Sequence, residues 1–227
     1  MSIAFDTTST SGFVSPITSV MNWSHIVSGN NRFVMVFGQT EATGGSTYVT
    51  GMTYNGETMS SLVGVPVVAP VSSERLWYFY LTNPPVGASS IVVSVETAGH
   101  YGQFVAGSYS GVNSNPIDTQ GSVTTGTTSA SVTGSLTPTI ENDWYISGYA
   151  FAGAGSTNPT SPNSTRRIID STGASTAIFD QGPGSVAGMT MSVVPNITAD
   201  WQVLLGALVK EFTSANTGKN MNILRNG

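Results

Sequence analysis

Short runs of alternating or continuous apolar residues, separated by clusters of Gly, Pro, Asn and Ser, recur along the whole chain and predict strands rather than helices. Ile3, Phe5, Phe13 and Val14 stand among Ser and Thr, the pattern of an extended arm or of a first edge strand with one apolar face. Trp23 to Ser28 alternates, Gly29-Asn30-Asn31 turns, and Arg32 to Phe37 is continuously apolar, as in a strand buried on both faces. Gly38 to Gly45 reads as a loop. Tyr48 to Tyr54 returns as a strand, Asn55-Gly56 marks a type I′ hairpin, and Thr58 to Val63 is expected to pair back on it. Pro66 and Pro70 cannot donate to a ladder, which puts Val65 to Val71 at an edge or in a crossing loop.

Arg75 to Pro85 holds the densest run of large side chains, Trp77 to Leu81, and predicts a central strand of a sheet covered on both faces. Ser90 to Glu96 alternates with Ile91, Val93 and Val95 on one face. Further strands are expected over Gln103–Tyr109, 129–136, Asp143–Phe151, 168–169, Ala177–Phe179, 189–194 and Gln202–Phe212, about a dozen in all with no helix. Asn115 to Thr128 is a long loop or a polar edge strand, and Gly153 to Thr165 a polar loop. No solenoid or propeller period is present. The expected fold is therefore all-β: a two-sheet antiparallel β-sandwich, jelly-roll-like, with extended N- and C-terminal arms. Residues 1–212 form the single domain with its N-terminal arm, and 213–227 an extended tail. Its core is expected to include Phe33, Met35, Trp77, Phe79, Val93, Phe104, Trp144, Ile146 and Leu205.

Composition narrows the partners. Charged residues make up 8% of the chain and Gly, Ser and Thr fill the polar positions, so the surface is hydroxyl-rich and weakly charged. A net charge of −5, with Lys and Arg scattered, offers no basic stripe and argues against nucleic acid. Arg166-Arg167 is the sole basic pair and reads as a solvated loop feature. The absence of cysteine removes disulfides, thiolate metal sites and cysteine nucleophiles. The opening residues have neither a basic nor an apolar leader region, and no stretch approaches a membrane span, so neither secretion nor a membrane partner is expected.

No catalytic constellation emerges. His25 alternates with Trp23 and Val27 on a strand, His100 sits in a Gly-flanked turn, and a metal site would need a third ligand from elsewhere. No Gly-x-Ser-x-Gly elbow occurs; Gly107 to Gly111 puts Tyr109 where the nucleophile would stand. Asp170-Ser171-Thr172-Gly173 has one residue too many for an aspartic-protease loop and is more simply a turn. Carboxylates fall singly, without the run of a calcium loop. Catalytic, cofactor and metal residues are thus each expected to be none. Aromatic side chains are the better clue to binding, since Trp and Tyr stack on sugar rings. The four tryptophans fall in predicted strands, leaving Tyr101 as the most exposed-looking aromatic.

Three segments, Trp23 to Gly38, Val49 to Val63 and Leu76 to Val95, together resemble a broad group of β-sandwich modules with jelly-roll or concanavalin-like topology. These occur in phage and other virion proteins and in large bacterial surface proteins. Tyr109 to Asp118 and Trp201 to Phe212 continue the likeness, which covers most of Trp23 to Phe212. Its motifs are hairpin turns and core strands, so it implies a fold and carries no catalytic set. With no appended enzyme or anchor, it implies a non-enzymatic phage structural protein located in the virion, a capsid decoration or cement protein. The alternative is a glycan-binding adhesin or tail-fibre module, with a surface glycan as partner. Expected partners are a capsid or other virion protein and further copies of the chain, a trimer among the arrangements. The assembly contacts expected are Ile3 and Phe5 at one end and Met221, Ile223, Leu224 and Arg225 at the other, joining neighbours by strand addition.

Overall fold

The computed structural model describes residues 2–17, 19–41, 49–70, 73–96, 100–125, 130–152, 158–173, 175–196 and 198–213. Among them there are seventeen strands and no helix. The first ten are β1 (Ala4–Ile17), β2 (Val20–Val27), β3 (Phe33–Thr40), β4 (Val49–Tyr54), β5 (Glu57–Thr58), β6 (Ser60–Ser61), β7 (Val67–Val68), β8 (Arg75–Thr82), β9 (Gly87–Val95) and β10 (His100–Ser110). The rest are β11 (Val112–Thr125), β12 (Val132–Leu136), β13 (Trp144–Ala152), β14 (Thr165–Asp170), β15 (Ser175–Gln181), β16 (Met189–Val193) and β17 (Trp201–Glu211).

These strands build four antiparallel sheets where two were expected. One runs β1-β10-β3-β8-β6, with β7 also on β8; its partner runs β2-β9-β4-β5. A third runs β11-β17-β13-β15-β14, and a fourth is the pair β12-β16. Alternation decides which face meets which sheet. In β3, Val34 and Val36 join Trp77, Phe79, Ile91, Val93 and Phe104 in a core against the β2-β9-β4 sheet. Phe33, Met35 and Phe37 point the other way, into a core with Ile146, Ile178, Val203 and Leu205 of the β13-β15-β17 sheet. That sheet's far face buries Tyr145, Tyr149, Phe179 and Leu204 against Met189, Met191 and Val193. The layers are therefore stacked sheet on sheet with three apolar cores between them; eight of the nine core residues named from sequence divide between two of these, and Trp144 packs part-buried against the one between the halves.

The stack is a duplication. In the first half the order is β1-β10-β3-β8 over β2-β9; in the second it is β11-β17-β13-β15 over β12-β16. The registers agree as well as the order. Phe37 faces Tyr78 and Val105, and Gly148 faces Ile178 and Leu205; Met21 faces Val93, and Val132 faces Val193. One matching of positions satisfies every one of these pairs. Asn31 and Asn142, matched ahead of β3 and β13, both adopt positive φ, 51° and 69°, which Asn tolerates better than most residues. Where the halves meet, the matched residues Phe37 and Gly148 touch: a Cβ on Gly148 would lie 1.9 Å from the Phe37 ring. Contact between equivalent positions is the mark of a local twofold axis.

Several local expectations change. The middle of the first sheet is β3, buried at all eight positions, while β8 lies next to the short edge strands β6 and β7. Asn55-Gly56 does turn with positive φ at both residues, but only β5 pairs back on β4; Ser60-Ser61 crosses to pair with Tyr80 and Phe79 in the facing sheet. The segment from Gly38 continues β3 to Thr40, because pairing with Gln103 and Leu76 on either side holds Gln39 extended. At the N-terminus β1 is an edge strand paired with β10, not a free arm. Residues 214–227, and with them Met221, Ile223, Leu224 and Arg225, lie outside the described residues.

Candidate functional site

At the end of the seam where β13 begins, three adjoining hollows of about 350, 320 and 590 Å³ share the half-buried Trp144 and the exposed Asn163 and Pro183. They form a polar groove with one tryptophan in it. The indole of Trp144 lies on the backbone of Gly182, where a Cβ would come within 2.4 Å, so glycine is what lets the ring sit flat there. Asn163 is anchored on β16: its Nδ2 donates to the Thr190 carbonyl and its Oδ1 accepts from the Ser192 N–H.

Beside the groove is a buried ionic centre. Arg167 Nε donates to Asp180 Oδ2 at 2.6 Å and Tyr109 Oη donates to the same oxygen at 3.0 Å. Asp180 is 2% exposed. Burial pushes its carboxyl above the ordinary value, against the opposing pull of Arg167 and Tyr109. Arg167 also stands 4.5 Å over the ring of Phe5, which packs edge-on against Tyr109. Arg167 is thus not a solvated loop residue. A register shift between Arg166 and Ile168 turns Arg167 to the face that meets Asp180, while Arg166 donates to Asn158 and to the Pro159 carbonyl.

The expected contact residues at the N-terminus converge on this region. Ile3 is 4% exposed in the inter-half core and borders the second hollow, and Phe5 is held under Arg167. Both apolar side chains are engaged within the chain and offer a neighbour little surface.

Elsewhere the titratable groups are tied into the fold. His25 is buried on β2; Trp23 Nε1 donates to Ser9 Oγ at 3.0 Å, and Ser9 lies 2.8 Å from His25 Nδ1. Burial pushes the imidazole down to about 4, and Asp6, which partly opposes this, accepts from Ser28 and Ser108 rather than from the ring. The Asp170 carboxylate accepts from both the N–H and the Oγ1 of Thr172, which makes the predicted turn, and from Thr10 of the other half. His100 opens β10. Among the described residues no group of three His, Cys, Asp or Glu stands close enough to share a metal ion.

Asp143 and Asp118 form a carboxyl pair. Burial first, then the Asp118 charge, push Asp143 up to about 7, with Lys210 opposing. Burial works against Asp118 too, yet donation from the Thr139 N–H and Oγ1 holds it below its ordinary value. Folded Asp143 therefore keeps its proton to about pH 7, where an unfolded aspartate releases it near 3.9. Its stabilisation is complete below about pH 4 and is lost as pH rises to about 7. Asp143→Asn keeps the neutral shape at every pH. Relative to wild type, it should gain at least about 1 kcal/mol on going from pH 4 to pH 8. Urea unfolding of both proteins at the two pH values measures this, and an unchanged difference refutes it.

Comparison with protein-family models, curated proteins and solved structures yields no match to this chain.

Proposed function

We propose that this chain is a non-enzymatic structural protein of a phage virion, a capsid decoration protein that binds the shell through its terminal segments as one of several copies. The observation that supports this reading is the seam. Among the described residues, two sandwiches joined through a filled apolar layer, with Phe37 seated on Gly148, make a stiff block and leave no central cleft of the kind a two-lobed enzyme opens for substrate. The strand plan agrees with the resemblance: β1-β10-β3-β8 facing β2-β9-β4-β5 is the order of an eight-stranded jelly roll, and the second half repeats most of it. The rival glycan-platform reading calls for two aromatics on one concave face, and the Trp144 groove has one.

Because Ile3 and Phe5 are engaged internally, attachment falls to the free edge of β1 and to residues 213–227, where Met221, Ile223, Leu224 and Arg225 supply small anchors. Each contact is weak, and repetition over a symmetric lattice multiplies it. A chain ending at Phe212 is expected to keep its thermal unfolding midpoint and to decorate particles at least roughly tenfold less than the full chain. Equal decoration by the shortened chain would remove the tail from this reading. Mass spectrometry of purified particles tests the whole: a decoration protein is present in capsid-like copy number, a tail component in a few copies.

A further inference from the structure

His25 lies where β1 meets the facing sheet of the first half. The side chain is 1% exposed, its ring stands edge-on to Tyr54 with 6.3 Å between centroids, and the Tyr54 hydroxyl donates to the His25 carbonyl. Hydrogen bonding fixes its proton. Trp23 Nε1 donates to Ser9 Oγ, so the Ser9 proton goes to His25 Nδ1, 2.8 Å away, and the neutral ring carries its hydrogen on Nε2. Nε2 has no acceptor among the described residues. A second proton, on Nδ1, would face an oxygen whose own proton must first turn away, and the cation would be buried with its other N–H unpaired. Two titratable groups face the ring, the Asp6 carboxylate and the Tyr54 phenol; β2 and β9 carry no other, and β10 turns Tyr109 into the opposite core. Burial pushes the phenol up, so it stays uncharged. Asp6 accepts from Ser28 and Ser108 and offsets only part of the burial, which leaves the ring at about 4 against an ordinary 6.5.

The strand this contact holds has little else to hold it. β1 is an edge strand paired only with β10, and its register breaks at three places. Its buried anchors are at the ends, with Ile3 and Phe5 at one and Ile17 at the other. Residues 6–12 contain no apolar side chain. They are fastened by polar contacts: Asp6 accepting from Ser28 and Ser108, Ser9 on His25, and Thr10 donating to Asp170. We propose that His25 is an acid-sensitive latch: proton uptake breaks the Ser9 contact and lets residues 6–12 of β1 peel from β10, between anchors that stay in place. The sign follows from linkage. The folded ring binds its proton more weakly than a free one, so the contribution of His25 is complete above about pH 6.5 and is lost as pH falls to about 4. The opening equilibrium should rise by roughly thirtyfold between pH 7.5 and pH 5. Peeling bares a row of β10 N–H and C=O groups, an edge on which another extended segment can pair. The inference is independent of the virion reading.

The test is hydrogen exchange of the full chain at pH 7.5 and pH 5, read by mass spectrometry with the intrinsic exchange rates divided out. Protection of residues 6–12 is expected to fall by roughly thirtyfold on acidification, while that of β3 and β13 stays level. In His25→Asn, which can still accept from Ser9 and takes no charge, the same segment should be equally protected at both pH values. A measurement on the unaltered chain stands beside it. An NMR titration of the His25 ring should show the Nε2–H tautomer at neutral pH and a midpoint near about 4. The latch is overturned if protection of residues 6–12 does not change, or if it falls as far in His25→Asn. It is overturned as well if β3 and β13 open together with β1, which is global unfolding, or if the ring titrates near its ordinary 6.5.

Discussion

Gly148→Ala is expected to destabilise the protein by about 3 kcal/mol or more, and Gly148→Val to prevent folding at ambient temperature. An added Cβ would stand 1.9, 2.0 and 2.5 Å from three ring atoms of Phe37. Neither side can give way. Phe37 is 0% exposed, fixed between β8 and β10, and enclosed by the apolar residues of the seam. Phe37→Gly fails in the opposite sense, by opening a cavity that costs about 3–5 kcal/mol. Because the two positions are equivalent, exchanging them brings a phenylalanine and a glycine together again. The Phe37→Gly, Gly148→Phe double variant should therefore be more stable than the sum of its single effects predicts, by at least about 1 kcal/mol. Urea denaturation of the four proteins completes the cycle. A Gly148→Ala protein as stable as wild type would mean that the sheets do not meet in this register.

Arg167→Leu should cost on the order of 3 kcal/mol, because it leaves the Asp180 carboxylate buried opposite a tyrosine alone. Pairing the change with Asp180→Asn should recover much of the loss, since a neutral amide can still accept from Tyr109. The loss should also depend on pH. With the guanidinium gone, burial raises the folded carboxyl further above its unfolded value, so the group is most stabilising when protonated and less so as pH rises through its folded pKa. The defect of Arg167→Leu is thus expected to shrink on acidification, whereas the double variant, with nothing left to titrate there, should lack that dependence. A defect of the same size at acid and neutral pH would place the cost in lost packing over Phe5 rather than in the stranded charge.

The candidate groove and the buried polar side chains were legible only in part. Tyr101 stood out as an exposed aromatic between glycines, and it lies half-buried. Gln39 gave no such signal, because it follows Gly38 at the head of a Gly- and Thr-rich stretch that looks like a loop. What keeps it in a strand is a partner on each side, Gln103 and Leu76, distant in sequence. Arg167 was hidden by Arg166 in the same way: two adjacent arginines look solvated until a bulged strand sends them to different partners. Trp144 was placed among core residues by the strand pattern, and its half-exposed ring follows from its place at the first residue of β13, where the seam ends.

What the sequence determined by itself is local. The alternation of Ile91, Val93 and Val95, the Asn55-Gly56 turn, the uninterrupted apolar run of β3 and the scarcity of charge are each readable within a few residues, and together they specify antiparallel strands without helices. A run buried on both faces does not say what covers each face, and that is why two sheets were expected where four form. The duplication was equally out of reach. At the seam its matched positions share backbone register and not side chains, Phe37 against Gly148 and Tyr101 against Trp201, because each half packs its inner face against the other's. Complementary surfaces need unlike residues, with Phe37 filling the space Gly148 leaves, so the contact that joins the halves removes the likeness that would have revealed them.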